Sequence, residues 1–328
     1  MSAIGVTKIM REYLAFLKGI LCQSKHFDWR YNLGLLWAWA ISFRLNKSSM
    51  EVAFGYNKNS AVLRWLRKKY DYLIPERLSY EGNGRDSNKI WVFWYQGIDE
   101  HTPEVVRLCV DSIKKNANCR QMVLLTKDNF TLYYTFPDYV IKGLEGGWIS
   151  VTHFSDILRL ALLYKYGGLW MDATLLVTQP ISTEGYNPIF TSIKIPDRHT
   201  GTISAYRWTG YYLYSKAGSP AMKTFLAVIL KYWEEGHKWL PDYLFIDFTF
   251  VMLYDKCKDF RDIVDGTPYS NRSVYELEGD MNRTDMNIDD VLAKYADTTI
   301  FKLNWRDAYV NQSGGRSTLF SKFIEAYE

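Results

Sequence analysis

The chain is poor in cysteine, in histidine and in long apolar runs, and each shortage removes a class of protein. Its 328 residues contain 4 Cys (Cys22, Cys109, Cys119, Cys257), with no CxxC pair among them. That excludes a disulfide framework and a cysteine zinc site, and a reduced, cytosolic compartment is expected. The 5 His (His26, His101, His153, His199, His237) lack zinc-ligand spacing, and neither HExxH nor GxxxxGK[ST] occurs. The longest largely apolar stretch, residues 33–43, is shorter than the roughly 18–20 residues that span a bilayer. Arg11 and Lys18 interrupt the early apolar stretch, so neither a membrane span nor a signal peptide is expected.

Hydrophobic residues make up 48% and charged residues 23%, values that exclude disordered and low-complexity classes. The length suits one large α/β domain with an accessory segment, or two modest domains. Aromatics reach 16%, with 12 Trp and 25 Tyr. They supply stacking platforms for sugars and bases, although most such residues serve a core. The net charge of +4 hides an asymmetry: residues 1–70 hold 12 Lys and Arg against Glu12, Asp28 and Glu51, so the remainder is net negative. A basic front end on an acidic body points to an anionic partner at one end, or to a solvated helical face.

Residues 6–70 read as helical, with Ile9, Tyr13, Phe16, Leu17, Ile20 and Leu21 at three- and four-residue spacing. A second helix is expected over 28–45, carrying Trp29, Leu33, Leu36, Trp37 and Trp39. A third, over 60–70, ends in Arg64, Arg67, Lys68 and Lys69. The stretch 81–88 (EGNGRDSN) is a loop by composition, and we place a boundary there, giving a basic helical segment over 1–80 and a second unit over 81–328. Strand–helix alternation then sets in: a strand over 89–95 (KIWVFWY), a helix from Pro103 to about 115, a strand over 121–126, a helix over 152–166 and a strand over 169–178. This succession implies an α/β fold with a Rossmann-type, mostly parallel sheet, flanking helices and ligands at the carboxyl ends of its strands.

The most specific stretch is Ser155-Asp156-Ile157-Leu158-Arg159 followed by Tyr166-Gly167-Gly168-Leu169-Trp170-Met171-Asp172-Ala173-Thr174. Asp156 and Arg159, at i and i+3, share one face of an otherwise apolar helix, where an unpaired charge would be expensive. Gly167 and Gly168 permit a sharp turn into the next strand, which carries Asp172. A structural ion pair plus a strand-edge aspartate would account for each piece taken alone.

Taken together, SDxxR…YGGxxxDA resembles the core of GT-A-type, DxD-containing sugar-nucleotide glycosyltransferases. FSDILRLALLYKYGGLWMDATLLVT is more similar still to the capsular polysaccharide synthesis protein family. IWVFWYQG at 90–97, TKDN at 126–129, DYLFID at 242–247 and KLNW at 302–305 support that resemblance, which covers roughly 88–305.

The resemblance implies a GT-A-like glycosyltransferase of hexosyltransferase type, moving a sugar from a nucleotide sugar, a UDP-sugar in the first instance, to a growing capsular, O-antigen or exopolysaccharide acceptor, with retention. It places Trp94, Tyr95, Gln96, Gly97, Ser155, Asp156, Arg159, Gly168, Asp172 and Trp305 around the donor. It gives catalytic roles to Asp172, Asp247 and Arg159. Asp242 is either a second acid on the Asp247 side or the cap of its helix. Asp172 would hold a divalent metal, Mn²⁺ or Mg²⁺, yet the second acid of DxD is here Thr174, a neutral hydroxyl and a poorer ligand for a hard cation. Expected partners are the nucleotide sugar, a lipid-linked oligosaccharide or polysaccharide acceptor and the inner leaflet of a bacterial cell membrane, with the basic helices as peripheral attachment. The alternatives are a catalytically inactive sugar-binding or scaffold member, kept open by Thr174, and a nucleic-acid-binding protein. Against the last stands the lack of any recognisable binding module, so no nucleic-acid partner is expected.

Overall fold

The computed structural model describes residues 27–42, 47–80 and 84–328. The first expected helix, before residue 27, lies outside the described residues. Two helices open the described chain, α1 (Trp29–Ser42) and α2 (Lys47–Tyr70). The alternating body follows: β1 (Lys89–Phe93), α3 (Glu104–Lys115), β2 (Gln121–Leu125), α4 (Asp138–Glu145), α5 (Val151–Tyr166) and β3 (Gly167–Asp172). Short strands β4 (Leu175–Val177), β5 (Thr191–Ser192) and β6 (Tyr212–Lys216) lead to helices α6 (Pro220–Glu234), α7 (Phe245–Lys256) and α8 (Lys258–Gly266). The chain ends with α9 (Ile288–Lys294), β7 (Ile300–Lys302), the hairpin β8 (Gln312–Ser313) and β9 (Arg316–Ser317), and α10 (Leu319–Tyr327).

The central sheet has the order β2-β1-β3-β6-β5. β1 runs parallel to both β2 and β3, β6 is antiparallel to β3, and β5 reverses again, so four of the five strands share one direction. The fold is α/β with a mostly parallel sheet flanked by helices, as the strand–helix alternation implied. Two-residue periodicity sends alternate side chains to opposite faces. Trp91, Phe93, Trp170 and Leu213 join one core with α5, α6 and α7. Ile90, Val92, Leu169, Met171, Tyr212 and Tyr214 join the other, under α3 and α10. Burial on both faces explains why β1 and β3 read as continuous apolar runs.

Gly167 and Gly168 open β3 at φ +68° and +104°, which a side chain would strain. A Cβ on Gly168 would stand 2.7 Å from the Lys89 carbonyl, and one on Gly167 would stand 2.5 Å from the Ala217 nitrogen. The pair therefore lets β3 close onto β1 and β6.

Two sequence expectations need revision, and one core spans the expected boundary. The strand expected over 169–178 is two: the chain turns at Ala173 and Thr174, and β4 leaves the central sheet to pair antiparallel with β7. The third helix begins at Lys47, well before residue 60. And the loop at 81–88, a boundary in sequence, is crossed by one core: Tyr31, Val62, Trp65 and Tyr70 pack with Tyr232 and Phe245. Polar contacts reinforce that seam. The Tyr31 hydroxyl donates to the Pro241 carbonyl at 2.5 Å, Lys58 pairs with Asp242 at 2.6 Å, and the Tyr70 hydroxyl donates to Glu235 at 2.8 Å. Among the described residues, no helix is long and apolar enough to cross a membrane.

Candidate active site

Strand order reverses about β1: the chain goes outward to β2, then returns to place β3 on the other side. In open α/β sheets the crevice at such a reversal, outside the carboxyl ends of the strands, is where ligands bind. A cleft of about 920 Å³ opens there, lined by Phe93, Trp94, Tyr95 and Gln96 from the end of β1 and by Asp172, Ala173 and Thr174 from the end of β3. Thr152 and Ser155 bring in the first turns of α5, whose positive dipole end favours an anionic ligand. Ser150 caps that helix, accepting from the His153 N–H at 3.2 Å.

Asp172 is half-buried on the cleft floor between two cations. Arg159 Nη2 stands 3.3 Å from Oδ1, and Lys302 Nζ donates to Oδ2 at 3.0 Å. Trp170 Nε1 donates to Oδ1 at 3.0 Å, and the Asp172 N–H is tied to the Tyr211 carbonyl at 2.9 Å. Burial opposes the charged form, but Lys302, Arg159 and these hydrogen bonds outweigh it and hold the carboxyl down at about 2. Asp172 is thus a fixed carboxylate at neutral pH.

Arg159 and Asp156 lie beneath the floor. Arg159 Nη1 is 3.1 Å from Asp156 Oδ1 and donates to the Gly210 carbonyl at 2.5 Å, while the guanidinium sits over the Trp170 ring at 5.1 Å. Nη2 also donates to Ser155 Oγ at 3.3 Å. His153 is buried away from the cleft: Nε2 accepts from Trp233 at 3.0 Å, and Nδ1 faces Asp156 Oδ2 at 3.4 Å. Arg159 therefore orients Asp172 from below, and the buried ion pair weighed as a structural alternative is present as well.

Of the donor residues inferred from the resemblance, Trp94, Tyr95, Gln96, Ser155, Asp172 and Trp305 line the cleft. Trp94 and Trp305 meet edge to face with centroids 5.9 Å apart, and Trp305 is exposed. Gly97 follows that wall at φ +85°, its N–H bonded to the Trp94 carbonyl at 3.0 Å, but is not part of the lining. Gly168 sits at the opposite end of β3 from Asp172 and outside the cleft lining, and backbone packing accounts for a glycine there. Nor does Asp247 reach the cleft: it is buried in the first turn of α7, where Oδ1 accepts from Trp208 Nε1 at 2.8 Å. Burial, partly offset by that hydrogen bond and reinforced by the Asp156 charge, pushes its carboxyl up to about 7. Asp242 accepts from the Leu244 N–H at 2.8 Å at the entry to that helix and pairs with Lys58.

The reading of the residues missed Lys302, Arg306, Tyr243 and Glu278 as cleft residues. Lys302 had a signal, a lone cation among the apolar Ile300, Phe301 and Leu303. Glu278 has its carboxyl raised by burial and by the adjoining Asp307 carboxylate.

A divalent ion fits this donor set poorly. Both Asp172 oxygens are engaged by cations or the Trp170 indole, Thr174 Oγ1 accepts from Lys302 at 2.6 Å, and no group of three or more His, Cys, Asp or Glu that could hold a metal stands together among the described residues.

The fold is of the doubly wound α/β class, a mostly parallel sheet with a crevice at its strand-order reversal and a cation-clamped aspartate on the crevice floor. The chain belongs to the capsular polysaccharide synthesis protein family, whose description matches residues 44–323 and so extends further toward both ends than the motifs alone indicated. It is 24% identical over 158 residues to the O-glycosyltransferase braB of Annulohypoxylon truncatum, a match over 44% of this chain and 37% of that relative. Among solved structures it is similar to the PaToxG glycosyltransferase at 13% identity and a TM-score of 0.35, over 65% of this chain and 89% of that one.

Proposed function

We propose that this protein is a glycosyltransferase with a GT-A-like nucleotide-sugar site, moving a hexose-type sugar from a UDP-sugar to a growing capsular, O-antigen or exopolysaccharide acceptor. The observation that carries this reading is Asp172 at the carboxyl end of β3, ionised, fixed between Arg159 and Lys302, and open to the cleft. Trp94 and Trp305 offer an aromatic slot for the base, and Asp172 accepts hydroxyl protons of ribose or donor sugar. In the reaction the bond from the anomeric carbon to the β-phosphoryl oxygen breaks, and its electron pair leaves on that oxygen. A bond to the acceptor oxygen forms, and the acceptor proton passes to the departing diphosphate. The resemblance adds retention of anomeric configuration, a same-face route that matches this proton path.

A glycan acceptor is favoured by a second hollow of about 820 Å³, lined by Trp148, Trp239 and Tyr243, which shares Tyr243 with the cleft. Aromatic faces pack on the apolar faces of pyranose rings, and a shared tyrosine offers a track from acceptor chain to donor. Attachment to an anionic inner leaflet is supported by α1, where Trp29, Leu33, Leu36 and Trp37 are exposed at helical spacing beside Arg30.

The test is a thermal-shift panel of nucleotide sugars, followed by mass spectrometry of transfer onto lipid-linked acceptors. A stabilising donor that is consumed only with acceptor present supports the reading. Hydrolysis-free binding with no transfer to any acceptor favours the inactive sugar-binding member. Flotation with anionic liposomes tests the membrane contact, and loss of flotation in a Trp29→Ser, Trp37→Ser variant is expected.

A further inference from the structure

A nucleoside diphosphate leaving a sugar needs positive charge at its β-phosphate, and the donor set around Asp172 is ill suited to a hard divalent cation. We propose that the Lys302 ammonium is the resident cation of this site, occupying the place between Asp172 and Thr174 and contacting the departing diphosphate directly. This rests on the nucleotide-sugar reading and specifies how its chemistry is done.

The geometry argues for it step by step. Lys302 Nζ stands 3.0 Å from Asp172 Oδ2 and 2.6 Å from Thr174 Oγ1, so it bridges the two positions that a DxD pair would offer. An ammonium has three N–H donors. Asp172 and Thr174 take two, and because Lys302 lines the cleft, the third is left for a ligand bound there. The Tyr211 ring, 5.2 Å from Nζ, supports the charge from a further side.

Strand pairing sets the two residues side by side. Lys302 lies opposite Leu175 in the β4–β7 ladder, and the Leu303 N–H donates to the Thr174 carbonyl at 2.9 Å, so the backbone brings ammonium and hydroxyl within reach of each other. Threonine then has a reason: its neutral oxygen accepts from the ammonium without adding a second negative charge beside the diphosphate. Among the described residues that line the cleft, the lysine and arginine side chains are Lys302 and Arg306, four residues apart. Lys302 contacts Asp172, and Arg306 stands over the Trp305 ring at 4.7 Å.

Binding of UDP, GDP, ADP and dTDP to the full chain is measured by calorimetry in EDTA and again with Mn²⁺, for the wild type, Lys302→Gln and Lys302→Arg. Glutamine keeps a hydrogen-bond donor and removes the charge. The expected result is diphosphate binding in EDTA, changed less than about twofold by Mn²⁺, weakened about tenfold or more in Lys302→Gln and largely recovered in Lys302→Arg. Should Lys302→Gln not fold, lysine acetylation of the wild type read by mass spectrometry decides. UDP in EDTA should protect Lys302, and unchanged labelling at saturation overturns the proposal. Binding that appears only with Mn²⁺, or wild-type affinity in folded Lys302→Gln, also overturns it and leaves the nucleotide-sugar reading standing. Absence of binding by every diphosphate in both buffers overturns the two together.

Discussion

Asp172 and Asp247 are both close to Arg159, yet their surroundings separate them by several pH units. Asp172, at the end of β3, has a cation on each oxygen and stays ionised down to about pH 2. Asp247, in the first turn of α7, is buried, and that burial pushes its carboxyl up to about 7. Motif reading gave the two similar standing as catalytic acids. The difference teaches that where a carboxylate ends up relative to cations and solvent, not its place in a motif, decides whether it serves as a standing charge or as a buried acid.

Removing the cation near both should break the comparison hardest. Arg159→Ala leaves Asp156 facing only His153 and strips Asp172 of one partner, and we expect a loss of about 3–5 kcal/mol in unfolding free energy by denaturant titration, with Arg159→Lys losing less. Asp172→Asn should cut transfer by about a hundredfold or more, the scale of one preorganised electrostatic contact, with the melting temperature lowered by the lost Arg159 and Lys302 pairing but the chain still folded. A melting temperature that collapses with activity would make Asp172 a structural residue instead.

The pH dependence separates the two sites by sign. Asp247 has its carboxyl raised in the fold, so the folded state keeps a proton that the unfolded chain has already lost. Its contribution to stability is full below about 4 and disappears as pH rises through about 7. Asp172 is depressed, so its contribution is present above about 4 and lost as pH falls through about 2. Asp247→Asn should therefore flatten the wild-type decline in melting temperature from pH 4 to 7 and leave transfer largely intact. A tenfold loss of turnover in a stable Asp247→Asn would restore a catalytic role to this residue. The smallest effect is expected from Thr174→Val, about 1 kcal/mol for one hydrogen bond, seen as weaker diphosphate binding with little change in melting temperature.

What could be read in the residues was local. Asp156 and Arg159 are i, i+3 neighbours, and Arg159 and Asp172 are joined by one helix, a glycine pair and one strand, so their meeting follows from short-range geometry. The buried strands β1 and β3 announced themselves as apolar runs. Three features were hidden for physical reasons. The run LWMDATLLVT is apolar both before Asp172 and after Thr174, so hydrophobicity read as one strand a segment that changes partners at Ala173. Gly168 carries no mark distinguishing a glycine needed by a ligand from one needed by the Lys89 carbonyl. Lys302 reaches Asp172 only through pairing of β4 with β7, a contact across 130 residues that no local pattern encodes.

That pairing gives the chain a timetable. Elongation proceeds at about 5–20 residues per second, so the strand bearing Asp172 leaves the ribosome several seconds before Lys302 is even synthesised. In that interval the aspartate has its arginine but not its lysine, and β4 has no partner strand. Nascent and prematurely terminated chains therefore lack the completed floor, and only a chain that has reached β7 gains it.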